Sequence, residues 1–461
     1  MIGQESTMND HRLNVGMARE DITPVGAGYL AGDVLDTEPP AAQIHKELFA
    51  QSLFLTDGSN NKLLLITVDV CKVSESMLAD VMSSLGDELG LSPSQIMVSA
   101  SHTHSAPQTL ETDAAPGTFD QEFVSRVTRG MIASAISSVQ STESVTLRYE
   151  TGKSDLGVNK RLLTPWGVLM TANPSGDYDP EVGVLIAERA PGNPAAIICC
   201  YASHPIGHLR SEISSDLTGF LRDEIENTFP NCMAFHALGC AGDISPRMRW
   251  KGTSYEIGNP HSGAGRHLLP ESKSKQFMED AGKELASIAI ALTLKKKSPI
   301  PQIKLHSRKL AIELPLQEPL SNAVFSASLS LPFSFRHSTW AQTMLDKVSR
   351  GEELARTQSY SIQIWLLSSQ FCLIALEGEV FSNIGMRIKN AMLPARSLII
   401  GHANSYKGYI PTEVAIREGG YEPESFYNLM LPAPYQPEME GILVETVVNE
   451  TKEQLRGLEP G

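Results

Sequence analysis

Nowhere in its 461 residues does the chain carry the eighteen or so consecutive apolar residues that would span a bilayer. Its amino terminus, MIGQESTMNDHRLNVGMARE, has no cationic patch leading into an apolar segment, so no export signal is read there and the protein is expected to be soluble and cytoplasmic. Cysteine is scarce. The six present (Cys71, Cys199, Cys200, Cys232, Cys240 and Cys372) lie mostly inside apolar segments without C-x-x-C spacing, which argues against a disulfide framework and for buried thiols in a reducing compartment. None is an obvious zinc ligand. Basic charge is also short: 38 Lys and Arg stand against 53 Asp and Glu, a net charge of −15, and the one dense run, Lys295-Lys296-Lys297, reads as a solvated helix end. Phosphate backbones require clustered cations, so no nucleic acid partner is expected. Repeats and low-complexity tethers are missing too, so residues 1–461 are expected to form a single domain, with a break near residue 300 as the alternative.

What remains is the pattern of a soluble α/β protein. Apolar residues make up 41% of the chain and charged residues 20%, enough for a large core under a wet surface. Strands are expected at Lys62–Val70, Gln95–Ala100, Val145–Glu150, Gly183–Glu188, Ala195–Tyr201 and Met233–Leu238. Apolar residues three and four apart predict helices at Ser74–Leu89, Gln121–Gln140, Leu217–Phe229 and Lys273–Leu294. Ser298–Gln358 reads as less regular. Strands at Ser361–Leu367, Phe371–Leu376 and Ser397–His402 follow, with helices at about Phe381–Met392 and at Glu438–Gln454.

Polar side chains with chemical reach gather where the apolar runs stop. In SASHTHSAP, the run before Ala100 leads to His102 and His104, which would share one face if the strand continued that far. In CCYASHPIGHL the layout repeats with His204, and His208 is a weaker, orienting candidate. Ends of strands are where open α/β sheets place their sites, and imidazole pairs offer metal ligands or an acid/base group. The third stretch, HALGCAGDISPRMRW, has glycines that let backbone approach a ligand and puts Ser245 where it could face an oxyanion or cap a helix. ALEGEVFSNIG carries Glu377 and Glu379, either of which could give a metal its carboxylate. GHANSYKGYIPTEVAIREGGYE offers Tyr406, Tyr409 and Tyr421. Asp69 and Asp243 are the residues beside which a second cation would be sought.

These five stretches, in this order, resemble the catalytic domain of the neutral ceramidase family, non-lysosomal amidases that cleave the N-acyl bond of ceramide. The resemblance runs from Val15–Pro24 (VGMAREDITP) to about Glu422, and is most specific in S-H-T-H-S, G-D-I-S-P and N-x-Y-x-G-Y. It implies an α/β fold of mixed β-sheets flanked by helices and a zinc-dependent amidohydrolase acting on linear amides, while the C-terminal β-sandwich of the family's secreted and membrane-facing members is not expected in this chain, which stops at Gly461. It also implies site roles. His102, His204, Glu379 and Tyr409 would ligate Zn2+, and His104 would act as acid/base or oxyanion donor. Arg161, in GVNKR, would face the substrate, Tyr421 would hydrogen-bond the scissile carbonyl, and Ser245 would be essential, as the nucleophile in some assignments. A zinc ion held by imidazoles, a carboxylate and a phenol would make hydroxide available near neutral pH, so attack by water ranks before attack by Ser245.

The chain departs from the family pattern in two places. Arg247 follows Pro246, and Ala106-Pro107-Gln108-Thr109 replaces a glycine-rich tail. Both changes adjoin the cleft, so the substrate is expected to be a small soluble N-acyl compound rather than ceramide, although a lipid-like one is the family's own. An esterase, lactonase or carbohydrate-directed hydrolase on the same zinc site, or a zinc-binding protein without turnover, are the alternatives.

Overall fold

Along Thr357–Ser368, Ile362, Ile364 and Leu366 point to one face while Trp365 and Leu367 point to the other, all of them buried. A strand apolar on both faces must be covered on both, and that requirement organises the chain into four layers. The computed structural model describes residues 12–26, 28–31, 40–41, 43–114, 118–207, 212–247, 271–330 and 335–458.

The largest layer is an eight-stranded mixed sheet. Its strands run in the order Met233–Leu238, Asn193–Tyr201, Glu181–Ala190, Thr142–Lys153, Arg12–Asp21, Phe49–Thr56, Lys62–Val68 and Ile96–Ala100. A second sheet orders His306–Pro315, Thr357–Ser368, Phe371–Leu376 and Arg396–Ile400. One apolar cluster fills the space between them, with Leu53, Leu65, Met97, Ile198 and Phe235 from the first sheet against Trp365, Phe371, Leu373 and Leu398 from the second. Residues on both sides of position 300 therefore share this core. Helices cover the outer faces. Glu75–Leu89 and Gln121–Gln140 pack on one half of the large sheet, and Asp216–Thr228 with Glu271–Thr293 on the other. Ser382–Met392 and Met439–Arg456 close the small sheet. Local chemistry sets several ends: Ser74 and Asp120 accept from Met77 N and Phe123 N as N-caps, and Gly90 ends its helix at φ +65.

Three readings are corrected. Ser298–Gln358 is regular after all, holding the strand His306–Pro315 and helices Asn322–Ser330 and Phe335–Ser349. The strand lies at a sheet edge and alternates partly buried with exposed residues, so no apolar run announces it. Phe49–Thr56 was hidden for the opposite reason, since its interior Gln51 and Ser52 are fully buried but polar. Gln51 donates to Ala234 O at 3.1 Å and accepts from Arg222, while Ser52 pairs with Ser134. Lastly, the strand before the first histidine pair stops at Ala100, and His102 has φ +63, so strand alternation does not orient His102 and His104.

The large sheet curls. Phe49–Thr56 and Met233–Leu238 lie five places apart in strand order, about 24 Å on a flat sheet. The Gln51–Ala234 hydrogen bond spans them directly. The two edge strands, Met233–Leu238 and Ile96–Ala100, also come into contact, and the ends of strands far apart in order converge on one seam. No helix among the described residues is long and apolar enough to cross a membrane, and all six cysteines are buried and free.

Candidate metal centre

His102 and His204 leave strands six places apart in sheet order, yet the curl brings their ring centroids to 4.9 Å. Each imidazole is oriented by a backbone carbonyl. His102 Nδ1 lies 2.7 Å from Cys71 O, and His204 Nδ1 lies 2.7 Å from Ile244 O. Those bonds make Nδ1 the donor and leave the Nε2 lone pairs free to face inward. Glu379 Oε2 lies 3.2 Å from His204 Nε2 and 3.7 Å from His102 Nε2. Its other oxygen accepts from the Tyr406 hydroxyl at 3.0 Å.

Burial pushes the His102 imidazole well below its usual range and His204 below it, so both stay neutral. Against its burial, the Glu379 carboxyl is held well below the ordinary carboxylate range, as positive charge on the side of His102 and His204 would hold it. The Glu379 carboxylate thus lies within reach of the Nε2 atoms of two buried imidazoles. Such acceptors repel unless a cation lies among them. Two neutral imidazoles and one carboxylate, each anchored behind by a hydrogen bond, are a donor set that suits zinc, so the residues fit the ion. Among the described residues, His102, Glu379 and His402 offer ligand atoms within 4.8 Å of one another, as do Cys71, His102 and His104. The Cys71 thiol faces the Nδ1 side of His102, at 3.5 Å, and burial pushes it up to about 12.

The other predicted residues take varied positions. His104 Nε2 lies 3.2 Å from His102 Nε2. Tyr409 stands opposite Glu379 in a two-residue parallel ladder, Glu379–Val380 against Tyr409–Ile410, and its hydroxyl lies 3.4 Å from Lys160 Nζ. Tyr421 is half-exposed, its ring edge-on to Tyr409 at 5.8 Å. Ser245 is not a helix cap but lies in the strand Ile244–Pro246, and its buried hydroxyl has no hydrogen-bond partner among the described residues. Arg161 is engaged by Glu422 at 2.5 Å, Gly419 O at 2.8 Å and Glu418 at 3.5 Å. A bulge at this point leaves its neighbour Lys160 as the cation that reaches Tyr409. Lys160 and His402 were missed in the sequence, where neither carries a spacing signal. Glu377 is held elsewhere by Ser405 and Ser361 N, and Arg247 binds the Asp155 and Gly157 carbonyls. His208 lies outside the described residues.

Asp69 and Asp243 are occupied by protein donors. Asp69 accepts from Arg222 and Phe49 N, while Asp243 accepts from Ser382 N, the Ser382 hydroxyl and Asn159. Burial pushes the Asp243 carboxyl up to about 6.

Two glycines let the loops approach. A Cβ on Gly242 would sit 2.2 Å from Glu379 O, and Gly378, at φ +74, would place one 2.4 Å from Gly408 O. Gly378→Ala is therefore expected to destabilise the fold by roughly 2 kcal/mol or more, because a left-handed alanine alone costs about 1–2 kcal/mol and the clash is with backbone. A urea midpoint within error of the parent would contradict this.

A family model described as "Neutral/alkaline non-lysosomal ceramidase, N-terminal" matches residues 13–249, just over half of the chain. Neutral ceramidase B of Dictyostelium discoideum is 24% identical over 277 residues, covering 54% of this chain and 38% of that protein. The chain thus matches well under half the length of that relative. The crystal structure of neutral ceramidase from Pseudomonas aeruginosa superimposes with a TM-score of 0.71 at 17% identity, covering 97% of this chain and 75% of the other. A ceramidase complexed with C2 gives 0.71 at 16% identity, with 97% and 76% covered. These likenesses confirm the mixed α/β fold with its sheets flanked by helices. From the family match, together with a fold shared along nearly its whole length, this chain belongs to the neutral/alkaline non-lysosomal ceramidase family of hydrolases.

Proposed function

We propose that the protein is a zinc-dependent amidohydrolase that cleaves the N-acyl bond of a linear amide with water as the nucleophile. The observation that carries this reading is that two buried, carbonyl-anchored imidazoles, His102 and His204, both lie against the one carboxylate of Glu379. His102, His204 and Glu379 would hold the ion, with Tyr409 beside them as the expected phenolic ligand. When bound, zinc supplies Lewis-acid charge and lowers the pKa of water from about 16 toward 7.

The chain's own residues have the remaining tasks. His104, whose Nε2 lies 3.2 Å from His102 Nε2, would hold a proton and deliver it to the leaving amine. Tyr421 and the Ser245 hydroxyl would donate to the developing oxyanion. Tyr406 steadies Glu379, and Lys160 steadies Tyr409. Ser245 as nucleophile would need a base within reach, and the described residues place no hydrogen-bond partner on its hydroxyl. The departures from the family pattern at Arg247 and at Ala106-Pro107-Gln108-Thr109 support a short N-acyl compound over a long-chain ceramide.

Dialysis against a chelator is expected to abolish hydrolysis of short N-acyl amides, and stoichiometric zinc to restore it. Cleavage that persists in metal-free protein would overturn the zinc reading. A parallel panel of ceramide, acetylated sugars and lactones tests the substrate class, and faster turnover of any of these would displace the short amide.

A further inference from the structure

One imidazole at the centre has no task in that reading. The segment Gly401–Asn404 crosses the seam where both sheets end. Gly401 N donates to Leu238 O at 2.9 Å, His402 N to Gly378 O at 3.0 Å, Ala403 N to Leu376 O at 3.1 Å and Asn404 N to Val98 O at 2.7 Å. The His402 carbonyl in turn accepts from Ala100 N at 3.2 Å. Strand ends from both sheets thus clamp this backbone, and His402 sits in it at φ +47, a left-handed conformation seldom taken by non-glycine residues.

The clamp sets the side chain against the metal centre. The His402 ring lies 4.0 Å from that of His102, tilted by 34°, and 6.1 Å from that of His204. Its Nε2 is buried and has no hydrogen-bond partner among the described residues. An orphaned buried nitrogen is costly, and an apolar side chain of similar size would fill the space without that cost. The same residue offers a ligand atom within 4.8 Å of those of His102 and Glu379.

We infer that His402 is a third imidazole ligand of the metal, so that three nitrogens and a carboxylate build the centre. The inference rests on the zinc reading above. It explains why a histidine occupies a clamped, left-handed position with an unpartnered nitrogen. Metal binding would satisfy that atom, as carbonyls already satisfy the Nδ1 atoms of His102 and His204.

Zinc-edge X-ray absorption on the zinc-loaded full chain counts imidazoles directly, independently of turnover and of Tyr409. Three per zinc are expected. In His402→Asn, where asparagine tolerates the left-handed backbone but is too short to reach, two are expected, with zinc affinity lower by more than about 100-fold in a chelator competition, beyond the cost of losing an outer-shell partner. His104→Asn should retain three, which separates His402 from its neighbour even if the first variant folds poorly. Two imidazoles in the parent, or His402→Asn with unchanged count and affinity, would overturn the inference while leaving the zinc reading standing. No stoichiometric zinc in the parent would overturn both.

Discussion

His102→Asn is expected to lower N-acyl amide hydrolysis on the order of 1,000-fold and to strip most of the bound zinc. Substitutions in the outer shell of a metal site typically cost about 10- to 100-fold, and a residue that holds the ion itself should cost more. Asparagine suits the test because it accepts the left-handed backbone that His102 adopts at φ +63. The hydrogen bonds from Ser101 N to Val68 O and from His102 N to Val70 O use backbone alone, so the loop should keep its path. Metal content by atomic emission, kcat/KM and a urea midpoint should be read on the same preparation. Loss of activity with full zinc occupancy, or activity within tenfold of the parent, would contradict the assignment.

Arg222→Met is expected to be the most destabilising change considered, by about 3–5 kcal/mol in urea denaturation. The Arg222 guanidinium donates to Asp69 at 2.6 Å and to Gln51 at 2.9 Å, and the side chains of the Arg222–Asp69 pair are 4% and 2% exposed. Removing one member of a buried ion pair leaves the other charge without compensation, and this penalty is large. Among the described residues, Asp69 would keep only Phe49 N as a donor. Some effect on the metal should follow, since Asp69 leads directly into Val70 and Cys71, whose carbonyls hold the His102 backbone and ring. The double variant Asp69→Asn/Arg222→Met should lose less than the sum of its parts, because the stranded charge is gone. An additive result, or a loss under 1 kcal/mol for Arg222→Met alone, would show that the pair does little.

The same residues mark how far the sequence could be read. Apolar runs ending at Ala100, Tyr201 and Leu238 announce strands, and polar residues just beyond them announce something at their ends. Caps at Ser74 and Asp120 and the glycine at Gly90 likewise speak through local chemistry. Buried polar Gln51 and Ser52 broke that rule because their hydrogen-bond partners, Ala234, Arg222 and Ser134, come from far along the chain. The choice between Glu377 and Glu379 was open for a related reason. Both follow the same strand, and only tertiary contacts separate them, since Glu379 lies against His102 and His204 while Glu377 is held by Ser405 and Ser361 N.

Lys160 and His402 show the limit most sharply. A bulge and a left-handed backbone set their directions, and neither leaves a periodic trace in sequence. Composition and periodicity alone determined that this is an acidic α/β chain with histidines at the ends of its strands, because burial patterns are local. Which of those ends meet was decided by the curl of the eight-stranded sheet and by the Gly401–Asn404 clamp, since only the closing of its two edges brings His102, His204, Glu379 and His402 to one buried place.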